Sequence, residues 1–148
     1  MASYNSSNSS TLIPASNDKF RLASEVVDFS TTTNVANDNF DVIGIPANSY
    51  VVTAGCDVLT VDSAGNTGKI AVGDSSGAAI YVAAVAPTSA TQLTPANTTG
   101  KCYASANDIR LTITDGAINA KVRVWAIMIS LDKGGTEKDT ESQSVTFA

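Results

Sequence analysis

The sequence predicts an all-β protein: an antiparallel β-sandwich, with an eight-stranded jelly roll as the leading architecture and a simpler sandwich as the alternative. Two observations predict this class. Residues 24–131 form a succession of short runs rich in Val, Ile and Thr, separated by clusters of Gly, Asn, Asp, Pro and Ser. Such clusters are typical of turns between short strands. In addition, no segment shows the periodicity of a convincing helix.

Three parts are expected along the chain: an extended amino-terminal arm at 1–20, the β-sandwich at 21–131, and a polar linker and tail at 132–148. Residues 1–17 carry no charge and are rich in Ser and Asn. Such a segment buries too little apolar area to offset its own ordering entropy. We therefore expect the arm to be held by its own domain or by a partner.

Eight strands are predicted, each as an apolar run bounded by turn residues. In chain order they are Glu25–Phe29, Phe40–Ile45, Ser49–Val61, Gly68–Gly73, Ala78–Val85, Gly100–Tyr103, Asp108–Thr114 and Ala120–Leu131.

Alternation assigns the faces of these strands, because successive side chains of a strand point to opposite sides. Ile109, Leu111 and Ile113 share one face and predict a half-buried antiparallel strand. Gly55 interrupts the longest run and is a candidate position for a bulge. A second buried face is predicted to consist of Tyr50, Val52, Ala54, Cys56 and Val58.

The last predicted strand becomes apolar on both faces. Lys121 and Arg123 begin one face, and Trp125, Ile127 and Ile129 continue it as a row of large apolar groups. Another segment of the chain or another subunit is expected to cover that row.

The candidate partner-binding residues are apolar residues that are not assigned to the predicted core. The tail residues Val145 and Phe147 suit a short strand added to an exposed edge, with a frayed end as the alternative. The full set is Tyr4, Leu12, Ile13, Phe20, Trp125, Ile127, Ile129, Val145 and Phe147.

Composition argues against catalysis and against several kinds of partner. The chain contains no histidine, so the commonest general base and zinc-binding nitrogen are missing. A net charge of −5 disfavours nucleic acid and anionic membranes as partners. We therefore predict no enzyme activity, no cofactor, no metal site, no nucleic-acid partner and no membrane partner.

Two further sets of residues have structural interpretations. Cys56 and Cys102 lie in apolar runs and are expected to be buried and reduced, with a disulfide between them as the alternative. The aspartates at strand ends are expected to bond local backbone N–H groups, since no calcium-loop spacing occurs. These are Asp57, Asp62, Asp74, Asp108 and Asp115.

One glycine-rich stretch, 61–74, raises the question of phosphate binding because it contains Gly68-Lys69. A P-loop needs G-x-x-x-x-G-K-[ST], but Ser63 replaces its first glycine and Ile70 replaces its hydroxyl residue. A structural loop between strands is the better interpretation.

Three stretches resemble small structural proteins of tailed bacteriophages, especially phages of marine bacteria and cyanobacteria. They are FDVIGIPANSYV at 40–51, VDSAGNTGKIAVGD at 61–74 and ANDIRLTITDGAINAKVRVWAI at 106–127. The resemblance spans about 24–131 and implies a virion component, in particular a decoration or cement protein on the outer capsid. The implied partners are the major capsid protein and other copies of the chain, with a trimer favoured.

The resulting hypothesis is a capsid cement protein that acts by binding alone and is made in the host cytoplasm. The rival is a tail-fibre or tail-tip module that binds a host receptor or glycan. A carbohydrate-binding domain and a carboxylate-only glycosidase are weaker alternatives. Abundance distinguishes the first two, since a capsid protein is present in hundreds of copies per particle.

Replacing Lys69 with alanine is expected to change the free energy of unfolding by no more than about 0.5 kcal/mol, as for ordinary surface positions. Chemical denaturation measures this change. Nucleotide binding by the native chain that disappeared in Lys69→Ala would contradict the structural interpretation of the loop.

Overall fold

The computed structural model of the protein describes residues 20–90, 92–93 and 100–131, in which nine strands and one short 3-10 helix occur. The strands are β1 Phe20–Asp28, β2 Asn39–Ile45, β3 Ser49–Thr60, β4 Lys69–Asp74, β5 Gly77–Val85, β6 Gln92–Leu93, β7 Lys101–Tyr103, β8 Asn107–Thr114 and β9 Lys121–Ser130. The 3-10 helix, Phe29–Thr31, follows β1. Within these ranges no helix has the length and apolar character needed to cross a membrane.

The strands form two antiparallel sheets. The five-stranded sheet has the order β1-β9-β3-β6, with β7 also paired to β3, and the four-stranded sheet has the order β2-β8-β4-β5. The chain crosses between the sheets after β1, β2, β3, β5, β7 and β8. The predicted all-β sandwich is confirmed. The strand order is compatible with a jelly roll, which remains a prediction.

The core lies between the sheets and is built from the alternate residues of each strand. Ile109, Leu111 and Ile113 of β8 are fully buried, as their alternation predicted. Val122 and Val124 of β9 are also fully buried, in the other sheet. Each such side chain contributes about 1.5–3 kcal/mol relative to exposure, so the facing rows of β8 and β9 are a major part of what holds the sheets together.

Strand β1 differs from its prediction at both ends. It begins at Phe20 rather than Glu25, because its pairing with β9 extends to Ile129. It ends before Phe29, where Asp28 caps the 3-10 helix by accepting a hydrogen bond from the Ser30 N–H at 3.0 Å. The two-residue strand β6 was not predicted at all, since a pair of residues carries no periodicity.

The predicted face of β3 is wrong in its first half. A β-bulge between Val51 and Thr53 shifts the register against β9, so Val51 is the buried residue and Tyr50 is on the opposite side. Ala54, Cys56 and Val58 are buried as predicted, because they follow the bulge. One inserted residue thus changed the phase of the alternation, as bulges do.

A polar group bridges the two sheets at one end of the sandwich. Asp74, at the end of β4, is buried and accepts hydrogen bonds at 2.6 Å from both the Lys101 ammonium and the Tyr103 hydroxyl of β7. The Ser76 N–H and hydroxyl donate to its other oxygen at 2.7 Å. The single Tyr103 proton goes to Asp74, so the Tyr81 hydroxyl of β5 donates to Tyr103 at 2.6 Å.

These hydrogen bonds hold Asp74 in its charged form. Burial by itself raises the pKa of Asp74, but the hydrogen bonds from Lys101, Tyr103 and Ser76 outweigh burial and keep the pKa well below its usual value of 3.8. Burial first, and then its bonds to Asp74 and Tyr81, raise the pKa of Tyr103. A carboxylate with a lowered pKa in the folded state stabilises the protein above its ordinary pKa, and that contribution is lost as the pH falls further.

Replacing Tyr103 with phenylalanine is expected to lower the free energy of unfolding by about 1.5–3 kcal/mol at pH 7, because one hydrogen bond to a buried charge is removed. The difference should shrink as the pH falls below 3.8, where protonation of the unfolded state removes the contribution of Asp74. Urea denaturation at several pH values measures both effects. The control Tyr50→Phe, in the same sheet, should show no such loss, and a Tyr103→Phe effect independent of pH would contradict the assignment.

Candidate interaction surface

The outward side of the five-stranded sheet carries the apolar row that the sequence singled out. Along β9, Val122 and Val124 are buried between the sheets, whereas Trp125, Ile127 and Ile129 are half-buried on the opposite side. The row is therefore not core. It lies where a strand of an ordinary sandwich presents polar groups to solvent.

Two neighbouring strands extend this row. On β1, Phe20 lies opposite Ile129 and Leu22 lies opposite Ile127, and these two β1 side chains are 56% and 68% exposed. On β3, Tyr50 lies opposite Ile129 from the other side. Directly opposite residues share one face of a sheet. The resulting apolar face consists of Phe20, Leu22, Tyr50, Trp125, Ile127 and Ile129.

Gly55 explains how the tryptophan is seated on this face. No register shift occurs at Gly55, so the bulge considered from the sequence is wrong. Instead Gly55 lies opposite Trp125, and a Cβ on Gly55 would lie 2.7 Å from Trp125 Cε2. The indole rests on the bare backbone and its Nε1–H donates to Asp57 Oδ1 at 3.3 Å. The glycine thus makes room for the indole.

The outward side of the four-stranded sheet is chemically different. Arg110 donates to Asp41 at 2.6 Å, and the Thr112 hydroxyl donates to Asn39 Oδ1 at 2.7 Å, both pairs joining β8 to β2. The hydrogen bond from Arg110 holds the pKa of Asp41 below its usual value, although burial acts in the opposite direction. Polar pairs thus occupy this side between β8 and β2, whereas large apolar groups form the apolar face.

The glycine-rich loop between β3 and β4 has a structural role. Asp62 accepts hydrogen bonds from the Ala64 N–H at 3.0 Å, and from Asn66 Nδ2 and the Asn119 N–H at 3.0 and 2.8 Å. Lys69 pairs with Asp115 at 2.7 Å, both side chains being about half exposed. These contacts tie the loop to the β8–β9 connection. In the described ranges no group of His, Cys, Asp or Glu is arranged to hold a metal ion.

The two cysteines occupy different environments. Cys56 is buried, as expected, whereas Cys102 is exposed on β7, so the prediction for Cys102 is wrong. Cys102 lies opposite Tyr50, on the outward side of the sheet. Both thiols are free, which excludes the disulfide alternative. Burial, and then the Asp57 charge, raise the pKa of Cys56 to about 12, so this thiol is unreactive.

The structure brings together four of the nine predicted partner-binding residues. Phe20, Trp125, Ile127 and Ile129 all belong to the apolar face. Sequence analysis missed Leu22 and Tyr50: Leu22 preceded the predicted strand, and the β3 bulge placed Tyr50 on the outward side. The other five predicted residues lie outside the described ranges: Tyr4, Leu12, Ile13, Val145 and Phe147.

The sandwich is similar to proteins of three solved phage capsids. A chain of the cyanophage Pam1 capsid asymmetric unit superimposes with a TM-score of 0.62 at 18% identity, over 75% of this chain and 84% of that chain. A chain of the acid-stable Helicobacter pylori bacteriophage KHP30 capsid superimposes with a TM-score of 0.60 at 14% identity, over 76% of this chain and 89% of that chain. A chain of the Ralstonia phage GP4 capsid superimposes with a TM-score of 0.56 at 14% identity, over 75% of this chain and 84% of that chain.

These identities establish a shared fold. No protein-family model matches the sequence, and no curated protein matches it.

Replacing Gly55 with alanine is expected to displace the indole of Trp125, because the added methyl group overlaps the ring. Overpacking of this kind costs about 1–3 kcal/mol. Trp125 is the only tryptophan, so a shift of fluorescence emission reports its displacement directly. The control is Gly44→Ala in β2, where the nearest atom to the new methyl group is Asp108 Oδ1 at 3.9 Å. Unchanged emission and stability in Gly55→Ala would contradict the seating of the indole.

Proposed function

We propose that this protein is a structural protein of a bacteriophage virion, and specifically a decoration or cement protein on the outer surface of the capsid. It acts by binding alone. Its partners are the major capsid protein and further copies of itself, with a trimer as the favoured assembly.

One observation carries the proposal: a sandwich similar in fold to chains of three phage capsids carries an apolar face on its outward side. A free monomer rarely leaves a contiguous apolar surface in water, and such a surface usually marks a protein interface. Phe20 and Leu22, exposed beside Ile127 and Ile129, have the exposure expected of groups that become buried on docking.

The mechanism follows from binding to the assembled shell in preference to its dissociated subunits. Any molecule that binds only the assembled form stabilises that form by mass action. Contacts repeated by an oligomer act at high effective concentration, so individually weak contacts suffice. The net charge of −5 supports a position outside the shell, away from packaged nucleic acid.

The arm and the tail supply further contacts in this proposal. Tyr4, Leu12 and Ile13 are the apolar anchors of the arm, which joins the domain at Phe20 beside the apolar face. Val145 and Phe147 are the anchors of the tail. The arm, the tail and the apolar face together would define the docking site on the major capsid protein.

Replacing Ile127 with aspartate is expected to weaken binding to purified capsid shells that lack this protein, because a charge enters the apolar face. Burying an unpaired charge opposes docking strongly, so the loss should exceed tenfold in affinity. Co-sedimentation with shells measures binding, and a thermal melt of each variant checks that the domain is folded.

The matched control is Ala83→Asp, at an exposed position of β5 in the other sheet. It should bind like the native chain. Leu12→Asp and Ile13→Asp test the arm in the same assay. Equal binding by Ile127→Asp and Ala83→Asp would contradict docking through the apolar face, and only a few tens of copies per particle would place the protein in the tail.

A further inference from the structure

Strand β1 is an open edge of the five-stranded sheet. It pairs with β9 on one side, and no strand of the described ranges pairs with it on the other. The β1–β9 register runs through nine consecutive pairs, from Phe20 with Ile129 to Asp28 with Lys121, without irregularity. Six of the nine residues of β1 are exposed. Such a long, regular edge presents unpaired N–H and C=O groups to any second strand.

The other edges are short or irregular. The far edge of the same sheet is formed by β6 and β7, of two and three residues. In the four-stranded sheet, β2 has an irregularity between Asp41 and Ile43, and the pairing of β5 with β4 shifts twice. Short strands, bulges, prolines and inward-pointing charges are devices by which proteins prevent edge pairing. Strand β1 is long and regular and contains no proline, and its two inward-pointing charges, Arg21 and Glu25, are of opposite sign.

The charges on β1 have a self-complementary arrangement. Arg21 and Glu25 are both exposed, and each lies two residues from Ala23. In the described part of the chain neither makes an ion pair. They are roughly 13 Å apart along an extended strand, too far to pair with each other. A second β1 strand running antiparallel and centred on Ala23 would place each Arg21 opposite Glu25 of the other copy.

We propose that β1 is the contact between two copies of this protein, paired antiparallel about a two-fold axis through Ala23. In this register Phe20 lies opposite Val26 of the second copy and Leu22 lies opposite Ser24. Two Arg21–Glu25 ion pairs flank the axis. Two-fold contacts of this kind use the same surface on both copies, which is the commonest symmetry of protein assemblies.

The geometry preserves the apolar face. Side chains directly opposite each other in an antiparallel pair project to the same side of the sheet, so the apolar faces of both copies lie on one side of the joined sheet. Arg21 and Glu25 project to the other side, since they alternate with Leu22 and Ser24. The inference does not depend on the proposed function. A two-fold pair takes the place of the trimer favoured there, and it leaves the apolar face available for a different contact.

Charge reversal tests the proposal on the full-length chain by sedimentation equilibrium at low and moderate salt. Arg21→Glu and Glu25→Arg each place two like-charged pairs across the axis. Each should halve the mass of the native assembly, or raise its dissociation constant at least tenfold. The combined variant Arg21→Glu/Glu25→Arg restores opposite charges and should restore the native mass. A mass unchanged by either single reversal, or not restored by the combination, overturns the proposal.

A cross-link tests the register independently of the charges. In a Cys102→Ser background, Ala23→Cys places two thiols across the axis, within the Cα separation that a disulfide accepts. A covalent dimer on a non-reducing gel is expected. The matched control is Val27→Cys, on the same side of β1, which in this register has no counterpart on β1 of the second copy and should not cross-link to itself. No dimer with Ala23→Cys, or equal dimer with both variants, contradicts the register.

The native mass also distinguishes other occupants of this edge. A trimer that neither reversal changes would mean that copies meet elsewhere. A monomer whose β1 amides exchange faster after removal of residues 132–148 would identify the tail as the strand that pairs with β1. Either result would contradict the proposed two-fold contact through β1.

Discussion

Strand β9 determines which side chains of the five-stranded sheet are core and which are surface, because it pairs with β1 on one side and β3 on the other. Its buried residues Val122, Val124, Ala126 and Met128 meet the opposite sheet. A slip of one residue would exchange these groups for Trp125, Ile127 and Ile129. The small side chain of Ala126 and the large ring of Trp125 do not fill equivalent spaces. Packing of the core therefore fixes the apolar face on the outside.

The Asp74 group adds a second constraint, on how the sheets meet. Apolar side chains tolerate small sliding of one sheet over the other, but a buried carboxylate needs its donors at hydrogen-bond distance. Lys101 and Tyr103 reach Asp74 from the other sheet, whereas Ser76 belongs to the same hairpin. Breaking the bridge would leave a buried charge with only the Ser76 donors, which is far more costly than the net gain from forming the bridge. The network therefore specifies one alignment of the sheets.

Local alternation predicted the sandwich, most strand positions and the faces of β8 and β9, because those strands are regular over many residues. It failed where information from distant residues is needed. The bulge at Val52 is visible only once β3 is aligned with β9. Gly55 makes room for the indole of Trp125 and does not mark a bend. This role could not be predicted from β3 alone, because Trp125 lies in β9. No sequence feature near Asp74 predicts its hydrogen bond with Tyr103, because the two residues come together only when the sheets pack.

The edge of β1 and the apolar face have different physical requirements, so one contact does not satisfy both. Pairing at the edge completes backbone hydrogen bonds in the plane of the sheet and covers little of its broad side. Leu22 and Ile127 project perpendicular to that plane and stay exposed in a joined pair of sheets. Joining two copies doubles the apolar area on one side, which increases the need for a surface to cover it. A protein with both features is suited to associate with itself laterally and to dock onto a third surface.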